Sequence, residues 1–287
     1  MVLQNELMID TWLTVSLAVL FGLLIGSFLN VVIYRLPIIL NRQWTNEAKA
    51  YLNLPTETLD RFDLMYPPSR CGHCGSAIRP WQNIPLISWL YLRGRCANCR
   101  RSISIRYPLV ELLTGVLFGL MAWQYGNTLV TLGACVFTAF VVALTFIDAD
   151  EQILPDELTL PLIWLGLLFN LITGFIPLKS AVLGAIVGYL SLWSLYHIFK
   201  WITGKEGMGY GDFKMLSAIG AWLGLTVLPI VVFIAALVGL VVALIRQVRK
   251  SQPMAFGPCL AIAAWLIFLF YANVGTLIRW WFALSGV

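Results

Sequence analysis

Eight apolar runs divide the chain, at about 12–34, 107–124, 128–147, 157–175, 180–200, 213–226, 227–246 and 258–282. Roughly 20 apolar residues suffice for a helix to cross a hydrocarbon core, so the pattern predicts an all-α polytopic membrane protein of about eight transmembrane helices. Only Gly224 and Pro229 separate the sixth run from the seventh. One polar stretch, 35–106, is long enough to form a subdomain in water. The predicted organisation is therefore 1–34 as N-terminal segment and first span, 35–106 as a loop domain, and 107–287 as a membrane-embedded domain.

Composition agrees: 60% of the 287 residues are hydrophobic and 11% charged, with a mean hydropathy of +0.83, which excludes an ordinary soluble domain. Several of the twelve Trp stand near run ends, as an interfacial aromatic belt requires. The net charge of +5 is unevenly spread, since 11 of the 19 Lys and Arg lie between Arg35 and Arg106. The positive-inside rule accounts for that concentration without a nucleic-acid partner and puts the loop in the cytoplasm. Eight alternating spans then place the N-terminus outside, with Asp148–Asp156, Lys200–Asp212 and Arg246–Lys250 also on the cytoplasmic side. Lys179 and Arg279 are the exceptions left in the outer loops. The first run lacks a small-residue cleavage site after it and reads as a retained anchor.

Two C-x-x-C pairs, Cys71-Gly-His-Cys74 and Cys96-Ala-Asn-Cys99, stand 21 residues apart. That spacing suits a closed, tetrahedral, four-thiolate zinc site, structural rather than catalytic. Two disulfides are the alternative, disfavoured in a reducing cytoplasm. His73 reads as a solvated turn residue, Cys135 and Cys259 as small buried hydrophobes, and His197 as a packed or interfacial side chain.

Two acids stand at run ends. Gly207-Met-Gly-Tyr-Gly-Asp212 is a glycine-rich turn ahead of the sixth run, and Asp148 directly follows the third. A carboxylate at a helix centre in a bilayer costs about 2.5–3.5 kcal/mol on insertion scales, so such residues are retained for a purpose. The blander reading makes Asp212 a helix N-cap. Glycines would let a peptide backbone approach the acid, and the topology delivers both acids to one membrane level. Paired carboxylates there suit aspartic proteolysis, one taking a proton from water while the other polarises the scissile carbonyl. Helix polarity would make Asp212, at a helix start, the base and Asp148, at a helix end, the acid. Asp150, Glu151 and Glu157 read as solvated charges, and Asp156, after Pro155, as the cap of the fourth span.

Several segments in this order carry a family likeness: Gly26-Ser-Phe-Leu-Asn-Val-Val-Ile-Tyr-Arg-Leu-Pro37, both cysteine pairs, Trp81-Gln-Asn-Ile-Pro85, Ile103-Ser-Ile-Arg-Tyr-Pro-Leu-Val-Glu111, Ile147-Asp148 through Leu154-Pro-Asp156, and Gly209-Tyr-Gly-Asp212. Over nearly its full length the chain resembles the bacterial type IV prepilin leader peptidase/N-methyltransferases. The resemblance implies a membrane aspartic peptidase with Asp148 and Asp212 as catalytic pair, cutting the basic leader of prepilins and of the prepilin-like proteins of type II secretion. It also implies S-adenosylmethionine as donor for N-methylation of the new terminal residue, usually Phe, an activity associated with the zinc-ribbon-like cysteine loop. The donor is expected near Gly94, Arg95 and Glu47, and the location is the bacterial inner membrane. Glu111 either orients the loop or pairs with Arg106. From a different class, a proton-coupled transporter would use the same two acids as carriers, although transport favours mid-bilayer acids and internal repeats. A presenilin-like peptidase is disfavoured by the cysteine loop.

Overall fold

A computed structural model gives the fold and describes residues 2–55, 60–205, 207–245 and 255–276. Glu57, the basic loop 246–250 and the end of the eighth run with Arg279 lie outside those residues. Among the described residues the chain is helical, without strands, and forms two compact units, 1–127 and 128–287. Among the described residues six helices are long and apolar enough to cross a membrane: the protein is an integral membrane protein.

In the first unit, α1 (Val2–Tyr51) packs along α3 (Arg106–Tyr125). Glycines set their separation. A Cβ on Gly22 would fall 2.8 Å from the Gly115 Cα, and one on Gly26 would fall 2.7 Å from the Glu111 Cα. With no hydrophobic gain between helices in lipid, such small-residue contact is a main source of their attraction. The helix does not end at Tyr34, where the polar stretch begins. It continues through Pro37 to Tyr51, giving a rod of about 75 Å at 1.5 Å per residue. The segment beyond Tyr34 carries Arg35, Arg42, Glu47 and Lys49 and so belongs in water rather than lipid.

The loop between these helices contains a 3₁₀ turn (Pro80–Asn83), the short α2 (Ile87–Tyr91) and two small knuckles closed by isolated bridges, Arg70 with Ala77 and Arg95 with Ser102. Arg35 ties the loop to α1. Its guanidinium donates to the carbonyls of Asp63 (2.9 Å) and Pro67 (2.7 Å) and sits 5.5 Å from the Phe62 ring.

The second unit contains α4 (Leu129–Glu151), α5 (Asp156–Thr173), α6 (Leu178–Thr203), α7 (Tyr210–Leu223), α8 (Leu228–Ile245) and α9 (Gly257–Leu269). The α7 helix is the hub. It is buried from Asp212 to Leu223 except at Lys214, packing chiefly on α6 and α5. Its 14 residues rise about 21 Å, short of a hydrocarbon core of about 30 Å. Glycines bring α6 and α7 together, for a Cβ on Gly220 would lie 2.1 Å from the Gly184 carbonyl oxygen. Buried polar groups fasten the remaining faces. Asn170 donates to the Ala221 and Trp222 carbonyls (2.8 and 3.1 Å) and accepts from the Ile176 amide (3.1 Å). The Trp222 indole donates to the Leu162 carbonyl (2.8 Å).

Candidate active site and metal centre

The C-terminus of α4 places Asp148. Gln152, in the left-handed region (φ 56°), stops the helix and donates its amide to the Asp148 carbonyl (3.0 Å). The side chain is 5% exposed, and its Oδ2 accepts a 3.0 Å hydrogen bond from the amide of Gly257, the first residue of α9. Asp212 stands in the first turn of α7, 7% exposed, with its amide 3.3 Å from the Gly209 carbonyl. The two carboxylates are within electrostatic reach of each other, and Cys259 is within reach of both.

Leu154 holds this arrangement together. A Cβ on Gly211 would come 2.7 Å from the Leu154 Cβ, and one on Gly257 would come 2.5 Å from Asp148 Oδ2 and 3.2 Å from Leu154 Cδ1. Two glycines therefore let one leucine sit between the start of α7 and the start of α9. Gly209 differs. A Cβ there would meet nothing nearer than 4.0 Å, and the nearest atoms include Asp212 Oδ2. A Cβ at Gly209 would thus fit beside the Asp212 carboxylate without a clash. The positive end of α7 faces Asp212, while Asp148 lies between the negative end of α4 and the positive end of α9.

The loop gathers four sulfurs. Sγ atoms of Cys71, Cys74, Cys96 and Cys99 lie within 4.8 Å of one another, with Cys71 and Cys99 3.9 Å apart. A tetrahedron of Zn–S bonds near 2.3 Å has edges of about 3.8 Å, so the cluster has the size for such an ion with little movement. All four thiols are free rather than paired in disulfides. The knuckles have matching backbones. The Gly75 amide donates to the Cys71 carbonyl and that of Arg100 to Cys96, each residue having positive φ (68° and 60°). The Ser76 hydroxyl, 3.1 Å from Cys74 Sγ, together with its amide, pulls the Cys74 thiol down to about 6, while, against the Arg101 backbone hydrogen bond, burial and the neighbouring thiols push Cys99 up to about 11.

Residues 20–125 match the family model described as Bacterial Peptidase A24 N-terminal domain, and residues 135–244 match the Type IV leader peptidase family. A Neisseria gonorrhoeae protein named prepilin leader peptidase/N-methyltransferase is 56% identical over 280 residues, spanning 97% of this chain and 98% of its own. The chain belongs to the type IV leader peptidase family. Relatives of the same name from Aeromonas hydrophila (53% identical, 94% of each chain) and Dichelobacter nodosus (50%, 94% of this chain and 96% of that one) agree. No solved structure matches the chain. Membership leaves the transporter reading of the two acids without support.

In this leader peptidase family member, Asp148 and Asp212 come together, as do the four cysteines. Glu47 is exposed on the polar end of α1 and Arg95 is exposed beside the second knuckle. Gly94 is buried against Trp89, and a Cβ there would be 2.8 Å from the indole. Asp156 is the first residue of α5 rather than its cap. Pro155 holds the cap position, and the Asp156 carboxylate pairs instead with Lys214 of α7. Sequence reading missed Lys214 and Gly257. Each is tied to its partner over 58 and 109 residues respectively, and nothing local signals either contact. His197 packs against Trp193 and Tyr196, while Cys135 and Cys259 are buried, as expected. Asp150, Glu151 and Glu157 are exposed, also as expected.

Proposed function

We propose that the protein removes the leader peptide of prepilins and prepilin-like proteins at the cytoplasmic face of the bacterial inner membrane, with its N-terminus outside, and then N-methylates the exposed terminal residue. The observation that carries the peptidase reading is the meeting of two buried carboxylates, Asp148 and Asp212, at one end of the second unit. Neighbouring carboxylates resist joint ionisation, so in this reading the pair works with one shared proton. The ionised member takes a proton from a water molecule as that water attacks the scissile carbonyl. The protonated member donates to the carbonyl oxygen, and the leaving amine takes up a proton as the carbon–nitrogen bond breaks. Gly209, whose missing side chain would stand beside Asp212 Oδ2, is where this reading lets an extended backbone approach the acid.

The thiolates of Cys71, Cys74, Cys96 and Cys99 would hold a structural Zn²⁺, closing the loop and leaving no coordination position open. S-adenosylmethionine, when bound, supplies an electrophilic methyl group to the new terminal amine. The names borne by the relatives, which pair both activities, support this second step. Clients in pilus and type II secretion assembly are part of the same reading.

The test replaces Asp148 and Asp212 separately by Asn and follows leader removal from a prepilin in membranes. Loss of a proton-transfer group costs roughly 10²–10⁴ in rate, so each variant should leave the precursor uncut within the assay. Zinc content should stay at the wild-type level. Leader removal at the wild-type rate by either variant would overturn the pairing.

A further inference from the structure

Within the first unit a cavity of about 950 Å³ opens between the α1–α3 pair and the cysteine loop. That is at the upper end of the range for sites taking cofactor-sized molecules. Glu111 of α3 is the one carboxylate among its described lining residues, and it is 8% exposed. Its Oε2 accepts from the amide of Leu86 (2.9 Å), and the Ser27 side chain also hydrogen-bonds the carboxylate. Leu86 is the residue before α2 and has positive φ (57°), so Glu111 fixes the loop where its backbone is unfavourable. A carboxylate offers about four acceptor positions, and these contacts use two. The guanidinium of Arg35, also on the cavity wall, is turned to backbone carbonyls of the loop. Aromatic rings of Trp81, Trp89 and Tyr107 stand around the same space.

A buried carboxylate, aromatic rings and the further arginines Arg70, Arg79 and Arg101 on the wall of a cavity of this size suit a ligand that carries a flat ring, a cationic group for Glu111 and a carboxylate for an arginine. S-adenosylmethionine has that make-up, with a sulfonium and an ammonium near an adenine. We propose that this cavity is the methyl-donor site and that Glu111 holds the cationic methionine end of S-adenosylmethionine. The inference rests on the methyltransferase reading above. It also gives Gly94 a task as a positioning residue. Gly94 has φ 65°, its amide donates to the Trp89 carbonyl (2.8 Å), and any side chain there would push the Trp89 indole that forms part of the cavity wall.

The test uses the full chain with zinc in lipid nanodiscs. Titration calorimetry with S-adenosylmethionine compares the wild type with Glu111→Gln, whose amide oxygen can still accept from Leu86 while the charge is gone. The variant should bind at least tenfold more weakly, with zinc content and melting temperature unchanged. Independently of any variant, a photoreactive S-adenosylmethionine analogue should label wild-type peptides containing Trp81, Trp89 or Tyr107. Binding to Glu111→Gln as tight as to the wild type, or labelling confined to other segments while the wild type methylates prepilin, would overturn the cavity assignment alone. A wild type that cleaves prepilin and transfers no methyl group would instead overturn the methyltransferase reading, and this inference with it.

Discussion

At the scale of single residues, two glycines beside the aspartates make opposite predictions. Gly257 has no room, because a Cβ would collide with Asp148 Oδ2 and crowd Leu154. Gly257→Ala should displace the carboxylate and cut leader removal by tenfold or more, read as initial rate on a prepilin, with the protein still inserted. Gly209 has room, and its backbone (φ −82°, ψ 151°) suits any residue. Gly209→Ala should therefore fold normally, yet raise the KM for prepilin several-fold by intruding where the substrate backbone passes. Equal melting temperature with unchanged KM would remove Gly209 from the substrate path. Asp148 and Asp212 were visible in the sequence because an acid beside an apolar run is costly and so conspicuous. Their neighbours were not: Leu154 and Gly257 look like ordinary apolar-segment residues until the fold sets them against the carboxylates.

At the scale of elements, short-range glycine spacing explains which helices meet. Gly22-x-x-x-Gly26 in α1 faces Gly115 and Glu111 of α3, and Gly184-x-x-x-Gly188 in α6 lies on Gly220 and the backbone at Leu216 and Ser217 of α7. These spacings are present in the chain and could have predicted both pairs. The α5–α7 contact carries no such mark, since Asn170 reaches the Ala221 and Trp222 carbonyls from 51 and 52 residues away. Gly220→Leu should force α6 and α7 apart, overpacking worth about 1–3 kcal/mol or more, and lower both the melting temperature and the yield of inserted protein. In the loop, the matching knuckles stand or fall with their ion. Cys71→Ser, or a strong chelator, should abolish zinc binding and open the arginine-rich loop to trypsin, because binding energy in such sites is folding energy. An unchanged digestion pattern after metal removal would show the loop self-supporting. The extension of α1 to Tyr51 escaped a reading based on hydropathy, because a helix leaving the membrane keeps its hydrogen bonds while its side chains turn polar.

At the scale of the whole molecule, membrane character and the run-by-run placement of helices follow from apolar patterning, which is dense enough here to override local ambiguity. The cavity of the first unit was not legible, because a space bounded by α1, α3 and the loop leaves no periodic trace in any one segment. The two-acid mechanism predicts a bell-shaped dependence of leader cleavage on pH. Activity should fall in acid as the pair gains a second proton, and in base as it loses the shared one, with apparent constants belonging to the pair rather than to either residue. A profile flat from acid through neutral pH would exclude shared-proton catalysis.

The hydrogen bond from the Gly257 amide to Asp148 makes that acid a fastener of α9 as well as a proposed reagent. Asp212 has no such contact with α9 among the described hydrogen bonds. An inert version of the protein, meant to be frozen with an uncut precursor for imaging, is thus better made by disarming Asp212. Truncating Asp148 would release the start of α9 along with the chemistry, and the captured complex would portray a loosened site.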